Sequence, residues 1–584
     1  MSAKQRYVKP FFFNDSVFVY NPLNLERAIC DSESYSQLTD EDLPSVLVPE
    51  KKVKDSLLRS FPQKPEIRVM YLLLTDACNF RCKYCFIEEA FESYPSNYMT
   101  KKTAEKALDF FLKKCSFQNK KVIFYGGEPL LNKEVLEFSI NRIKKHDKET
   151  GQKTSISIVT NGSLIDNKIA KLFRNSNVQV GVSLDGHKEA HNSMRLDANG
   201  KKTFDSVMRG WKLLKKNGAY ASISFTLGSH NVNDLDKHIK WICTKLKPKA
   251  IGFNLPNTIP FKGNPATVSA DLITQKLIKA YKIMQEHGIY EDRIYARRIT
   301  PFIKKKFWLK DCCGCGNEIA VSPEGMVGPC HAFVSSKKYF IKRIPKDEKE
   351  LKENQVWQEW NRRAPINTEQ CQNCTAIALC GGGCPYYSYV TKGDIWALDE
   401  RSCVLCNTTL TWLLKEAYSK IKSETVDILY RQPMHGDEER FASFVTGLTK
   451  ENLPMGNLQR LLDPRFVTGM INLINSGKAA CYFAEKDFEI IGFCNSIHDD
   501  KNTKIGVAVK KEHRGKGVAT RLLELCLIDA KKDGFRKAIA EIYAANKDST
   551  ELFQNNGFVN TGKVSKIVEY GGKKTNELIF EKVL

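Results

Sequence analysis

The sequence predicts an α/β protein of several domains: a partial (β/α)6 barrel, a small cysteine-rich domain after it, and a C-terminal α/β domain. Three observations predict this. Strand-length apolar runs alternate with amphipathic helical stretches from Ile67 to about Asn257, and such alternation builds parallel strands joined by right-handed crossovers. Cysteines then crowd between residues 312 and 406. Beyond residue 426 the order becomes strand, helices, three strands, helix, strand, helix and two strands. The 584 residues exceed what one core holds, and boundaries are expected at 1–62, 63–300, 301–424 and 425–584.

Residues 8–22 (VKPFFFNDSVFVYNP) alternate aromatic and β-branched side chains around the turn-forming Asn14-Asp15-Ser16, which reads as a β-hairpin. Short helices are expected from Leu38 to Leu58, completing an N-terminal module ahead of the barrel or an extension packed on it. The apolar run Ile67–Leu74 is a strand, and the segment TDACNFRCKYCF after it sets Cys78, Cys82 and Cys85 as C-x3-C-x2-C. Loops leaving barrel strands are where active sites collect. Three thiolates give a four-iron cluster three ligands and leave one iron open. Core thiols or a zinc knuckle are the bland alternatives, although zinc sites usually pair C-x2-C ligands with a fourth partner.

The runs 121–129, 155–162, 178–186, 221–231 and 250–257 bring the barrel to six units. Their ends carry Gly126-Gly127-Glu128-Pro129, then Ser183 and Asp185, with Arg195 nearby in HNSMR. Glycine permits close backbone approach to a ligand, and arginine pairs with a carboxylate.

The second cysteine array reads Cys315-x9-Gly325-x4-Cys330, then Cys371-x2-Cys374-x5-Cys380-x3-Cys384 and Cys403. Eight or more thiolates call for two iron–sulfur clusters, since one zinc ion would not use them all. Cys312, Cys313 and Cys315 crowd together, and Cys406 follows Cys403 by three, so spacing alone leaves the ligands among them open.

In the C-terminal domain Arg514-Gly515-Lys516-Gly517-Val518-Ala519 follows a strand and opens a helix, a place where backbone N–H groups bind a pyrophosphate. Composition adds a compartment. The N-terminus lacks the apolar core of a secretory signal and no apolar run is long enough to span a bilayer, so the 19 cysteines are read as cytoplasmic metal ligands, not disulfides. Net charge is +23, with residues 426–584 holding 24 Lys+Arg against 21 Asp+Glu and residues 1–425 holding 66 against 46. That basic surplus suits an acidic polypeptide or nucleic acid, or is a solvated lysine-rich surface.

Cys78, Cys82 and Cys85 in this setting resemble the radical SAM superfamily signature, and the resemblance implies a [4Fe–4S] cluster whose open iron binds S-adenosylmethionine and yields a 5′-deoxyadenosyl radical. It implies that Gly126, Gly127, Glu128 and Pro129 meet the SAM ammonium group, that Ser183 and Asp185 hold ribose hydroxyls, and that Arg195 pairs with the SAM carboxylate. The second array resembles the SPASM domain. By that likeness Cys313, Cys315, Cys330 and Cys384 hold one auxiliary cluster and Cys371, Cys374, Cys380 and Cys403 another, three [4Fe–4S] clusters in all. If Cys313 alone serves from the crowded group, the first auxiliary cluster keeps an open iron.

The wording of residues 313–333 and 374–385 looks like maturases of small cysteine-rich peptides, which implies thioether crosslinking of a ribosomal peptide precursor and an electron donor such as flavodoxin or ferredoxin. The N-terminal module resembles the peptide-recognition elements of such enzymes. Sulfatase-maturing enzymes are an alternative, but they carry an Asp directly after the cysteine matching Cys330, where His331 stands here. The Elongator catalytic subunit also joins radical SAM to an acetyltransferase, which keeps tRNA modification open. With Asn546 and ELFQNNGF, the C-terminal domain resembles the GNAT acetyltransferase fold, implying acetyl-CoA bound along Arg514, Gly515, Gly517, Ala519 and Asn546. Phe553 stands where the usual acid tyrosine is expected, so the acid is another residue such as Tyr570, with Glu541 a candidate base, or the domain binds without catalysing.

Overall fold

The aromatic alternation near the chain start folds into Lys9–Phe13 (β1) and Ser16–Tyr20 (β2), with Arg27–Asp31 (β3) added antiparallel. Their turn places Asn14 at φ 46°, a left-handed conformation that Asn tolerates. The computed structural model describes residues 8–37, 50–85, 96–255, 268–451, 458–463, 465–499, 502–570 and 573–584. Of the helices expected over 38–58, one runs Glu50–Ser60, and residues 38–49 lie outside the described residues.

The barrel strands are Val69–Leu73 (β4), Lys121–Tyr125 (β6), Ser155–Thr160 (β7), Gln179–Ser183 (β8), Ala221–Thr226 (β10) and Ala250–Asn254 (β11), with Phe80–Cys82 (β5) and Arg195–Asp197 (β9) forming a separate two-stranded ribbon. All six pair in parallel as expected. Met70, Leu72, Val122, Phe124, Ile158, Val180 and Val182 are fully buried beneath the helices. Because strand side chains alternate, Tyr71, Ile123, Tyr125, Val159, Gly181 and Ser183 face the barrel interior.

Tyr290–Glu291 (β12) extends the sheet beyond β11. Glu318–Val321 (β13), from the cysteine-rich region, pairs parallel to β4 from Glu318↔Val69 to Val321↔Leu72, and Val327–Gly328 (β14) follows it. No local pattern announces this pairing. It brings the second cysteine array against the strand that precedes Cys78. A 23-residue helix, Glu400–Lys422, closes the array.

Leu429–Arg431 (β15), Ala479–Lys486 (β16), Glu489–Asp499 (β17), Asn502–Val509 (β18), Lys537–Tyr543 (β19), Val559–Tyr570 (β20) and Lys573–Val583 (β21) appear in the expected order among helices. The sheet runs β20-β21-β19-β18-β17-β16-β15-β1-β2-β3. The N-terminal hairpin, expected ahead of the barrel, therefore extends the C-terminal sheet. The reason is apolar: β15 is buried along its length, and Phe12, Val17 and Val19 join Tyr430, Tyr482 and Leu522 in one core. No helix among the described residues is long and apolar enough to cross a membrane.

Candidate active site and cysteine centres

Cys78, Cys82 and Cys85 are half-buried on the turn between β4 and β5 and its exit. The thiols feel one another, and burial pushes those of Cys78 and Cys82 up to about 12. Neutral thiols crowded in this way suit a cation that displaces their protons.

The loop carrying them is clamped by the Gly126–Pro129 turn. Gly127 N–H donates to Thr75 O at 2.9 Å and Glu128 N–H to Ala77 O at 2.8 Å. A Cβ at Gly126 would stand 2.2 Å from Thr75 O, and one at Gly127 2.2 Å from Ala77 O. Both glycines are thus required by the close approach of the cysteine loop's backbone. Glu128 is fully buried and accepts from Leu130 N–H (3.0 Å), Thr160 Oγ1 (2.7 Å) and Asn161 N–H (2.7 Å), while burial lifts its carboxyl to about 7. Pro129 opens the short 3-10 turn that follows.

Asp185 and Arg195 engage each other. Asp185 accepts from Arg195 Nε (2.9 Å) and Nη2 (3.3 Å), from Thr226 N–H (3.1 Å) and from the Tyr84 hydroxyl. Burial alone would raise its carboxyl, but Arg195 and His230 hold it well below the usual carboxylate range. Arg195 Nη1 reaches Cys82 Sγ at 3.9 Å. The pair is a strut from the end of β8 to the cysteine ribbon. Ser183 ends β8 half-buried on the interior face. Tyr84 was missed, although its place inside CKYC was a signal.

The second array separates into two groups. Cys312 and Cys315 hydrogen-bond each other, and Cys330 and Cys384 are their neighbours. Cys313, expected in this group, is exposed and neighbours Glu318, Arg297, Cys315 and Lys121. Cys371, Cys374, Cys380 and Cys403 surround one another, and Cys406, one turn on from Cys403, hydrogen-bonds Cys380. Each group faces orphaned donors: Trp360 Nε1, in the core cluster of Cys330, and Arg298 Nε and Nη2, beside Cys406 and Cys380, are buried without partners. Buried unpaired donors fit an anionic cluster that the thiols would hold.

His331 lies on the interior side, stacked on Tyr71 at 4.0 Å and edge-on to Tyr125 at 5.1 Å. Its Nδ1 is 3.0 Å from Glu318 Oε1, which also accepts the His331 N–H.

In the C-terminal domain Gly515 (φ 69°) and Gly517 (φ 77°) shape the turn into the helix Val518–Lys532, and a Cβ at either would meet open space. Arg514 is held by Val509 O and Glu451, and Ala519 sits in the helix's first turn. Asn546 caps the helix Lys547–Asn555, accepting from Ser549 N–H at 3.1 Å. Phe553 is buried against Phe558. Glu541 is 3.5 Å from Lys504.

Residues 72–242 match the model of the Radical SAM superfamily, and residues 453–558 that of the Acetyltransferase (GNAT) family. The chain joins a radical SAM domain to a GNAT domain. It is an enzyme, and its central region resembles peptide and sulfatase maturases. "Radical SAM cyclopropyl synthase TigE" of Paramaledivibacter caminithermalis is 25% identical over 60% of this chain and 74% of its own length. The "Cysteine-type anaerobic sulfatase-maturating enzyme" of Clostridium perfringens is 27% identical over 55% of this chain and 89% of its own length. The solved structure "Native anSMEcpe with bound AdoMet and Kp18Cys peptide" shares the fold, with a TM-score of 0.52 and 23% identity over 61% of this chain and 100% of that one.

Proposed function

We propose that this radical SAM enzyme matures a polypeptide by C–H chemistry, forming a thioether between a cysteine sulfur and a carbon of a ribosomal peptide precursor. The observation that carries the reading is the conjunction of three half-buried thiols at a barrel loop with two further thiol groups that face orphaned donors. Cys78, Cys82 and Cys85 would hold the [4Fe–4S] cluster that binds SAM, with Ser183 and the Asp185–Arg195 strut bordering it. When bound, the cluster and SAM would together supply a deoxyadenosyl radical able to take a substrate hydrogen. Cys312, Cys315, Cys330 and Cys384 would hold one auxiliary cluster and Cys371, Cys374, Cys380 and Cys403 the other, with Cys406 in reserve and Cys313 outside. His331, its Nδ1 fixed by Glu318 and its ring stacked on Tyr71, would border the space an entering peptide occupies.

The interior favours a polypeptide over a nucleic acid because its walls are aromatic and aliphatic, with Tyr71, Tyr125, Ile123 and Val159 exposed to it and Lys121 the inward lysine of β4 and β6. The C-terminal domain would bind acetyl-CoA by its pyrophosphate at the Arg514–Ala519 loop, where successive backbone amides meet a helix N-terminus. A low-potential donor such as flavodoxin or ferredoxin would deliver the electron.

Anaerobic reconstitution tests the cofactors. Wild type should hold three [4Fe–4S] clusters, and replacing Cys78, Cys82 and Cys85 with Ala should leave two and abolish SAM cleavage; continued cleavage in that variant sinks the assignment. Mass spectrometry tests the product. A thioether formed from a thiol and a C–H bond removes two hydrogens and one alkylatable thiol. Loss of two hydrogens with every thiol retained would instead indicate ring closure between carbons, and solvent deuterium gained at a backbone carbon would indicate epimerisation.

A further inference from the structure

The hairpin of β1 and β2 has two faces, and each is claimed by a different core. Phe12, Val17 and Val19 join the acetyltransferase core. The alternate residues Phe11, Phe13, Phe18 and Tyr20 belong instead to the core of the barrel and cysteine-rich region, against which Cys371, Cys374 and Cys380 pack. Lys9 stands directly opposite Tyr20 in the ladder, and directly paired residues share a sheet face. The face turned to the cysteines therefore carries an ammonium and a phenol at the end away from the hairpin's turn.

The residues around them serve these two groups poorly. Tyr20 is fully buried, its ring edge-on to Phe11 at 6.3 Å, and its hydroxyl has no hydrogen-bond partner. Among the described residues the hydrogen bond of Lys9 Nζ goes to Asn475 Oδ1, a long contact of 3.5 Å. A buried donor without an acceptor is unfavourable. Lys9 and Cys374 line one cavity, and both Lys9 and Tyr20 feel the Cys374 thiol. The acceptor that suits an ammonium and a phenol alike is a sulfur carrying negative charge. Asn407, on the helix Glu400–Lys422, approaches Cys374 from within the cysteine-rich region, whereas Lys9 and Tyr20 approach it from the acetyltransferase sheet.

We propose that Lys9 and Tyr20 of the N-terminal hairpin raise the reduction potential of the auxiliary cluster held by Cys371, Cys374, Cys380 and Cys403. The assignment rests on the reading of those four cysteines as cluster ligands. Iron–sulfur potentials follow net charge, hydrogen bonds to the sulfurs and solvent exposure, and the hairpin acts on all three. Reduction places one electron from the low-potential donor on the cluster, with no bond made or broken. The Lys9 ammonium and the Tyr20 O–H both favour the more negative, reduced state, so the couple lies higher with them than without. Both are positioning residues. Through them the sheet that carries the acetyltransferase sets a redox centre of the radical half.

The test uses the full chain with Cys78, Cys82 and Cys85 replaced by Ala, reconstituted anaerobically so that the auxiliary clusters alone remain. Electron paramagnetic resonance follows their reduction in a potentiometric titration. In this background Tyr20→Phe, which keeps the ring and so the packing, and Lys9→Gln should each lower one midpoint by about 59 mV, a tenfold change in a one-electron equilibrium. The other midpoint and the iron content should stay where they were. Lys9→Arg should hold the potential, because the charge is what the cluster needs. Midpoints unmoved in both Tyr20→Phe and Lys9→Gln, with iron intact, overturn the proposal. So does a Lys9→Arg whose midpoint falls as far as that of Lys9→Gln, and so does iron lost from both variants, which would make the two residues structural. A background protein that holds fewer than two clusters refutes the ligand reading, and this assignment with it.

Discussion

Asp185 is a fully buried carboxylate with four donors around it, and its value lies in what it does to Arg195. Removing the charge from Asp185→Asn leaves a buried guanidinium uncompensated, a loss of roughly 3–5 kcal/mol. The folded carboxyl is held below its ordinary range, so the stability it contributes is present above the unfolded carboxylate pKa of about 4 and fades as pH falls below it. Urea unfolding of wild type should therefore weaken below about pH 4 more steeply than that of Asp185→Asn; parallel acid limbs would contradict the strut. Gly127 makes a second residue-scale case. Its Cβ position is 2.2 Å from Ala77 O, a backbone atom that cannot rotate away. Gly127→Ala should cost about 1–3 kcal/mol of overpacking and shift the cysteine loop, leaving the protein one iron–sulfur cluster short by iron analysis. A full complement of iron would mean that the loop yields.

The six parallel strands and the order of the C-terminal elements were legible because apolar runs of strand length and glycine-marked ends are local signals. Pairings between distant segments were not. Nothing in EIAV (Glu318–Val321) announces that it lies beside β4, and nothing in KPFFF (Lys9–Phe13) announces a partner more than 400 residues away. At the site, the three cysteines of the first loop were readable from spacing, whereas the mutual engagement of Asp185 and Arg195 and the split between Cys312 and Cys313 depend on where side chains point. The hairpin gives the element-scale prediction. Phe12 is 2% exposed and stacks edge-on to Tyr482 of β16 and Tyr35. Phe12→Ala should remove about 3–5 kcal/mol, and hydrogen exchange should register the loss in β15 and β16, with barrel strand β7 unchanged. Faster exchange confined to residues 8–31 would mean that the hairpin is only an appendage.

Across the whole molecule, the acetyltransferase sheet and the barrel meet through buried charge. Arg431 bonds Asp437 (2.7 Å) and Glu485 (2.7 Å), Arg440 lies 3.3 Å from Glu485 and also bonds Asp437, and Arg440 Nε is 3.5 Å from Asp271 on the barrel helix Ala270–Glu286. Two cations thus serve three carboxylates, and Arg440 alone reaches across. With β15 needing β1 on its outer edge, residues 425–584 do not contain their own complete sheet, so the two catalytic halves are expected to unfold together in spite of the chain's length. Arg440→Ala removes the bridging cation, leaving Asp437 and Glu485 to Arg431 and Asp271 without its ion-pair partner, a change of roughly 3–5 kcal/mol for a broken buried pair. Calorimetry of the reconstituted protein should show one dominant transition in wild type and two in Arg440→Ala, the earlier belonging to the acetyltransferase half. A single transition at the wild-type temperature in the variant would mean that the halves are joined by the hairpin and apolar contacts alone, and the charge network would then carry no coupling.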